Sequence, residues 1–163
     1  MDRTSRSTIH DHRREPDNRI HNRMDLPCYH GNISLKTCEN LLLRKGKKGC
    51  YLLRDSISVP GALCLCILYG RLIYTYRILQ NINGLYMIQA GNGVKEKLFP
   101  NLKELIYYYE KSNQGLVHNL TYPVDKESCE QMPLSPRGSL KHSVLEETYD
   151  GNEKLAFPPY FFT

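Results

Sequence analysis

Cys50-Tyr51-Leu52-Leu53-Arg54-Asp55-Ser56 is followed by Ala62-Leu63-Cys64-Leu65-Cys66-Ile67-Leu68-Tyr69 and then by Leu72-Ile73-Tyr74-Thr75-Tyr76-Arg77-Ile78-Leu79. Each stretch is apolar, strand-length and bounded by turn residues. Val59-Pro60-Gly61 separates the first two, with Pro fixing φ and Gly admitting positive φ. Gly70-Arg71 joins the second and third as a β-hairpin. Asn83-Gly84 then turns the chain into Leu85 to Gln89, and Asn92-Gly93 turns it again. Successive antiparallel strands of this kind make a meander.

Helical patterns flank the meander. Upstream, Ser34 is placed to cap a helix over Ser34 to Leu43, with Leu35, Cys38 and Leu42 on one face. Gly46 and Gly49 bracket the basic turn that ends it. Downstream, Leu102, Leu105, Ile106 and Tyr109 recur at i, i+3, i+4 and i+7, the apolar stripe of a second helix. Asn113-Gln114-Gly115 stops it, and Leu116 to Leu120 reads as one last short strand. The fold class is therefore α+β, a central antiparallel sheet with a helix to cover each face.

The whole chain has 163 residues, enough for one domain with tails. Its 22 Lys and Arg against 17 Asp and Glu leave a net charge of +5, too mild to demand nucleic acid. The longest apolar run, Ala62 to Tyr69, falls far short of the ~20 residues a helix needs to cross a bilayer. Residues 1–23 hold six Arg, four acids and three His with almost no apolar content. They read as a disordered basic and polar extension, neither a signal peptide nor an acid-poor presequence. From about residue 126, prolines punctuate a polar stretch without periodicity, the composition of a flexible tail over 126–163. The expected organisation is extension, domain over 24–125, and tail. Without a signal peptide the chain is expected in the cytoplasm with reduced thiols. Cys64 and Cys66 then act as small hydrophobes, and a lone C-x-C is too sparse for zinc.

The chemistry starts with Arg54. Side chains alternate along a strand, so Cys50, Leu52, Arg54 and Ser56 share a face while Tyr51, Leu53 and Asp55 share the other. A guanidinium aimed at a core face costs several kcal/mol unless an anion answers it. Two readings stand open at this point: a salt bridge to an internal carboxylate such as Asp55, or a seat for an incoming anion. The hairpin adds Thr75 and Arg77 on one face, alternating with Tyr74 and Tyr76, and Ser58 lies in the turn after the first strand. Two guanidiniums and three hydroxyls suit a doubly charged phosphate.

These residues carry a resemblance. Tyr29-His30-Gly31 before the first helix, and Leu52-Leu53-Arg54-Asp55-Ser56 on the strand, are similar to the hallmarks of the Src-homology-2 (SH2) domain, an H-G start and an F-L-V-R-E-S-like strand. The order of elements agrees over about residues 26 to 125. The resemblance implies an SH2 fold in which Arg54 grips phosphotyrosine, Ser56 and Ser58 add phosphate-loop hydroxyls, and Thr75 and Arg77 flank the ring. Leu41-Leu42-Leu43, Val59-Pro60-Gly61, Leu63-Cys64-Leu65-Cys66, Tyr74-Thr75-Tyr76-Arg77 and Asn113-Gln114-Gly115 further resemble the SAP family of single-SH2 adaptors, the signalling lymphocytic activation molecule (SLAM)-associated proteins. Pro100 with Leu102-Lys103-Glu104-Leu105-Ile106 looks most like its EWS/FLI1-activated transcript branch. Met24-Asp25-Leu26-Pro27 is similar to the usual start of that family, which makes the first 23 residues an added extension or an alternative translation start. Two departures stand out. Leu35 occupies the place where many SH2 domains carry a second phosphate-binding Arg, and Pro100 follows Phe99 where one member has a kinase-recruiting Arg.

The resemblance implies a non-enzymatic adaptor for tyrosine-phosphorylated tails of SLAM-family immune receptors, with the preferred motif Thr-x-Tyr-x-x-Val/Ile. The peptide is expected to cross the edge of the third strand near Tyr76 and Ile78. Glu39 either meets the peptide's upstream Thr or is a solvated helix carboxylate. Tyr149, in Glu146-Glu147-Thr148-Tyr149-Asp150, is a candidate phosphorylation site that recruits tyrosine kinases or downstream SH2 proteins, or else an ordinary tail tyrosine. Tyr160, among Phe157, Pro158, Pro159, Phe161 and Phe162, reads as part of a hydrophobic end patch. Without a working tail, the protein would block receptor phosphotyrosines from other SH2 proteins and phosphatases. For an enzyme, the sequence offers neither a phosphate-binding Gly-rich loop nor a zinc set, and pairing Cys64 or Cys66 with His118 asks strand thiols to reach a distant base. No cofactor, metal or nucleic-acid partner is expected, and the protein is expected to be a monomer.

Overall fold

Ser34 begins the first helix by accepting the N–H of Thr37 on its Oγ at 3.0 Å. That satisfies one of the amides a helix leaves open at its start. The helix, α1, runs Leu35–Lys45 and turns Cys38 and Leu42 fully inward. Gly46 ends it at φ 63°, a left-handed conformation that glycine adopts without a Cβ clash, while its N–H caps the carbonyl of Leu42. The computed structural model describes residues 23–127, apart from 92 and 94, together with residue 156.

The strands are β1 (Cys50–Asp55), β2 (Leu63–Tyr69), β3 (Leu72–Gln80), β4 (Tyr86–Ile88) and β5 (Tyr122–Pro123). They form one sheet in the order β4-β3-β2-β1-β5. The turn at Gly70 and Arg71 sets Tyr69 opposite Leu72, and the rest of the hairpin register follows from that pair. The pairs β1–β2, β2–β3 and β3–β4 are antiparallel, as the meander requires. A second helix, α2, spans Leu102–Tyr109, capped by Asn101, whose side chain accepts the N–H of Glu104 at 2.9 Å.

The two faces of the sheet carry separate cores. Tyr51, Leu53, Leu65, Ile67, Tyr76 and Ile78 pack with α2 through Leu102, Leu105, Ile106 and Tyr109. Cys50, Leu52, Cys64, Cys66 and Leu68 pack with α1 through Cys38 and Leu42. The strand alternation read from the sequence is thus what divides the molecule into two layers.

Four details differ from the sequence reading. Leu116 to Leu120 form no strand; Val117 and Leu120 are buried fillers over the sheet, and the Leu120 N–H bonds the Tyr109 carbonyl. The last strand is Tyr122–Pro123, and it pairs parallel with β1, so the sheet is mixed. Proline lacks a ladder donor and fits only at such an edge. Arg23, assigned by composition to the extension, lies against the domain, with its Nη2 donating to the Gly61 carbonyl at 2.7 Å. Ala156, in the region read as a flexible tail, is buried and bonded to β3. Residues 1–22, 128–155 and 157–163, Tyr149 and Tyr160 included, lie outside the described residues.

His30 ties the two ends of the domain together. Its Nε2 lies 2.6 Å from the carbonyl of Val124, and its N–H bonds the Leu53 carbonyl on β1.

Candidate functional site

β1 delivers Arg54 to the α1 side of the sheet at 0% exposure. Cross-strand pairing then builds the site. Arg54 lies opposite Cys64 on β2, and Cys64 lies opposite Arg77 on β3. The next row inward is Leu52, Cys66 and Thr75. With strands ~4.8 Å apart, the two arginines start from backbones about 10 Å apart and share a face.

The loop after β1 completes one rim. The Ser56 Oγ accepts the N–H of Val59 at 3.2 Å and lies 3.5 Å from the Ser58 Oγ. Arg77 donates from Nη2 to the Ser58 Oγ at 2.8 Å and from Nη1 to the Gln89 Oε1 at 3.4 Å. Arg54 donates from Nη1 to the backbone carbonyl of Asp55 at 3.1 Å. The structure therefore brings Arg54, Ser56, Ser58 and Arg77 together. Thr75 sits one row deeper, buried, with its Oγ1 3.6 Å from the Cys66 Sγ.

Asp55 resolves the two readings of Arg54 as far as that carboxylate goes. It faces the other way, accepting the Tyr29 hydroxyl at 2.7 Å and lying 4.0 Å from Arg23 Nη1. Burial and the bond to Asp55 push the Tyr29 phenol up to about 12. Asp55 thus braces the domain's opening segment, and its carboxylate is not what holds the Arg54 side chain.

The site has a thiol floor that the sequence reading treated only as core. Cys66 lies beneath Arg54, where a hydrogen bond from Cys38 and then the guanidinium's charge lower its pKa against the opposing effect of burial. The hydrogen bond to Cys66 and burial push Cys38 strongly up. The C-x-C alternation already put Cys64 and Cys66 on one face; the missing signal was the register that aligns that face with Arg54.

Of the three expected peptide contacts, two are corrected. Tyr76 is fully buried on the opposite face, where its hydroxyl accepts the Val117 N–H at 2.8 Å. Ile78 is buried in the same core. Their main chains also face inward: Arg77 and Thr75 offer their carbonyls to the outer edge, so the alternation turns Tyr76 and Ile78 toward β2. Glu39 is half-buried on α1, and Leu35 is half-buried at the first position of that helix beside an exposed Lys36.

Residues 28–109 match the family described as SH2 domain. The chain belongs to the SH2 domain family. Human SH2 domain-containing protein 1B is 50% identical over 105 residues, which cover 64% of this chain and 80% of that protein. Mouse SH2 domain-containing protein 1B2 is 43% identical over 125 residues, covering 77% and 93%. Both agree with the SAP-family adaptor resemblance. Human phosphatidylinositol 3,4,5-trisphosphate 5-phosphatase 1 is 47% identical over 103 residues, but these make up only 9% of that protein. The likeness is to one small part of a larger enzyme. The solution structure of the SH2 domain of a Monosiga brevicollis CRK/CRKL homologue superposes with a TM-score of 0.52 at 31% identity, covering 62% of this chain and 88% of that one. Phosphotyrosine binding is what membership in this family implies for this SH2 domain, and no helix among the described residues is long and apolar enough to cross a membrane.

Proposed function

We propose that this chain is a non-enzymatic cytoplasmic adaptor whose SH2 domain, over 24–125, binds phosphotyrosine in the tails of SLAM-family receptors. The observation that carries this reading is the row Arg54–Cys64–Arg77, with one arginine fully buried and the second held at the rim by Ser58. Two like charges sharing a face favour a ligand of charge near −2. A phosphate supplies that charge together with three acceptor oxygens for guanidinium and hydroxyl donors. Arg54 takes the phosphate from below, Arg77 and Ser58 close over it with Ser56, and Thr75 lies on the ring side. The preferred peptide is Thr-x-Tyr-x-x-Val/Ile, and Tyr149 in the tail passes the signal on once phosphorylated.

A phosphopeptide array with matched unphosphorylated copies tests this. Retention of phosphorylated receptor-tail peptides, with Thr two residues before and Val or Ile three residues after the tyrosine, is the expected outcome. Equal retention of both copies would overturn the phosphate reading, and retention of unrelated phosphopeptides would overturn the receptor assignment.

A further inference from the structure

The outer edge of β3 is only partly covered by the sheet. β4 pairs with Ile78, Leu79 and Gln80, and the Gln89 N–H prolongs that cover to the Arg77 carbonyl at 2.8 Å. Two residues further along, the next outward carbonyl is that of Thr75. It accepts a hydrogen bond at 2.7 Å from the N–H of Ala156, a residue far along the chain from β3. Ala156 is only 5% exposed and packs with the core on the α2 side. A backbone donor on a strand edge, with a small apolar side chain turned into the sheet, is how an extended segment adds to a sheet.

We propose that Ala156 is a resident occupant of the β3 edge, its N–H docking in cis at the Thr75 carbonyl and competing there with phosphotyrosine peptides. This rests on the phosphotyrosine reading above and gives it a regulatory layer. Thr75 belongs to the phosphotyrosine site through its side chain and to the edge through its carbonyl. A peptide that crosses β3 next to the phosphate needs the position that Ala156 holds. Tethering supports the contact, because a segment of the same chain acts at an effective concentration in the millimolar range. The competent fraction of the domain is reduced accordingly, and the apparent dissociation constant rises by the same factor.

The test uses the full chain and two variants. Ala156→Pro removes the N–H, and Ala156→Asp keeps it but places a charge where the methyl is buried. In the free protein the Ala156 amide should exchange slowly, independently of protein concentration, and a saturating Thr-x-pTyr-x-x-Ile peptide should release it. Both variants should bind that peptide about 3- to 30-fold more tightly than the parent chain, the scale of one hydrogen bond with a small apolar burial. An Ala156 amide that exchanges freely, or protection that grows with protein concentration and so reports a second copy, overturns docking in cis. Identical dissociation constants for parent and variants overturn the competition. If neither parent nor variants bind any phosphopeptide, the phosphotyrosine reading itself falls and the competition with it, while slow Ala156 exchange would still register the contact.

Discussion

Replacing Tyr76 by Phe separates a core role from a peptide-binding role at a residue where the two make opposite forecasts. The hydroxyl accepts the Val117 N–H at 2.8 Å, and Val117 is itself buried. Tyr76→Phe leaves that N–H without its acceptor in a site closed to water, while the ring keeps its packing. A stranded buried donor costs about 1–3 kcal/mol. For a domain of this size each kcal/mol lowers Tm by roughly 4–8 °C. Urea titration of the variant should therefore show a lower midpoint at unchanged slope, since the surface exposed on unfolding is the same. Phosphopeptide affinity, measured well below the new midpoint, should be unchanged, because Tyr76 lies on the face opposite Arg54. An unshifted midpoint would refute the energetic argument. A folded variant with several-fold weaker phosphopeptide binding would return Tyr76 to the peptide site.

Three further outcomes follow from particular contacts. Gly49→Ala should destabilise the fold by roughly 2 kcal/mol or more, since the residue stands at φ 81° and an added Cβ would lie 2.7 Å from His118 Nδ1 and 2.8 Å from Thr121 Oγ1; a melt within 2 °C of the parent contradicts this. Asp55→Asn should lower stability modestly through its links to Tyr29 and Arg23 and leave phosphopeptide affinity intact; a large affinity loss would tie its carboxylate to Arg54. Alkali should weaken the fold: burial, helped at Tyr29 by Asp55 and at Tyr109 by Tyr108, raises both phenols to about 12. Above pH ~10 the unfolded chain has lost those protons while the folded chain keeps them, so stability is complete below that point and falls as pH climbs toward 12. A flat stability profile between pH 9.5 and about 11.5 in urea titrations would contradict it.

The sequence disclosed the architecture wherever periodicity or a turn imposed it. Alternation placed Arg54 with Leu52, and the two-residue turn at Gly70-Arg71 fixed the register that sets Thr75 opposite Cys66 and Arg77 opposite Cys64. The spacing of Leu102, Leu105, Ile106 and Tyr109 matched the buried stripe of α2 residue for residue. The same alternation turns Tyr76 away from Thr75 and Arg77 and into the core, where its hydroxyl meets Val117. Other features left no pattern to read. A two-residue strand such as Tyr122–Pro123 has no period, and Leu116 to Leu120 carries strand-like residues that tertiary packing uses as filler. The docking of Ala156 is a main-chain bond, which any non-proline residue can supply, so no side chain announces it.

Phosphotyrosine binding by this domain rests on Arg54 as the phosphate's seat, and calorimetric titration of the Arg54→Ala chain with a Thr-x-pTyr-x-x-Ile peptide tests that role most directly. Truncating one side of a buried, charge-assisted contact costs roughly 2–5 kcal/mol. Affinity should fall from about 30-fold to over 10³-fold, on a scale of about 1.4 kcal/mol per tenfold, with the cooperative melt retained. A folded Arg54→Ala chain that titrates the phosphopeptide as tightly as the parent would contradict the account at its centre.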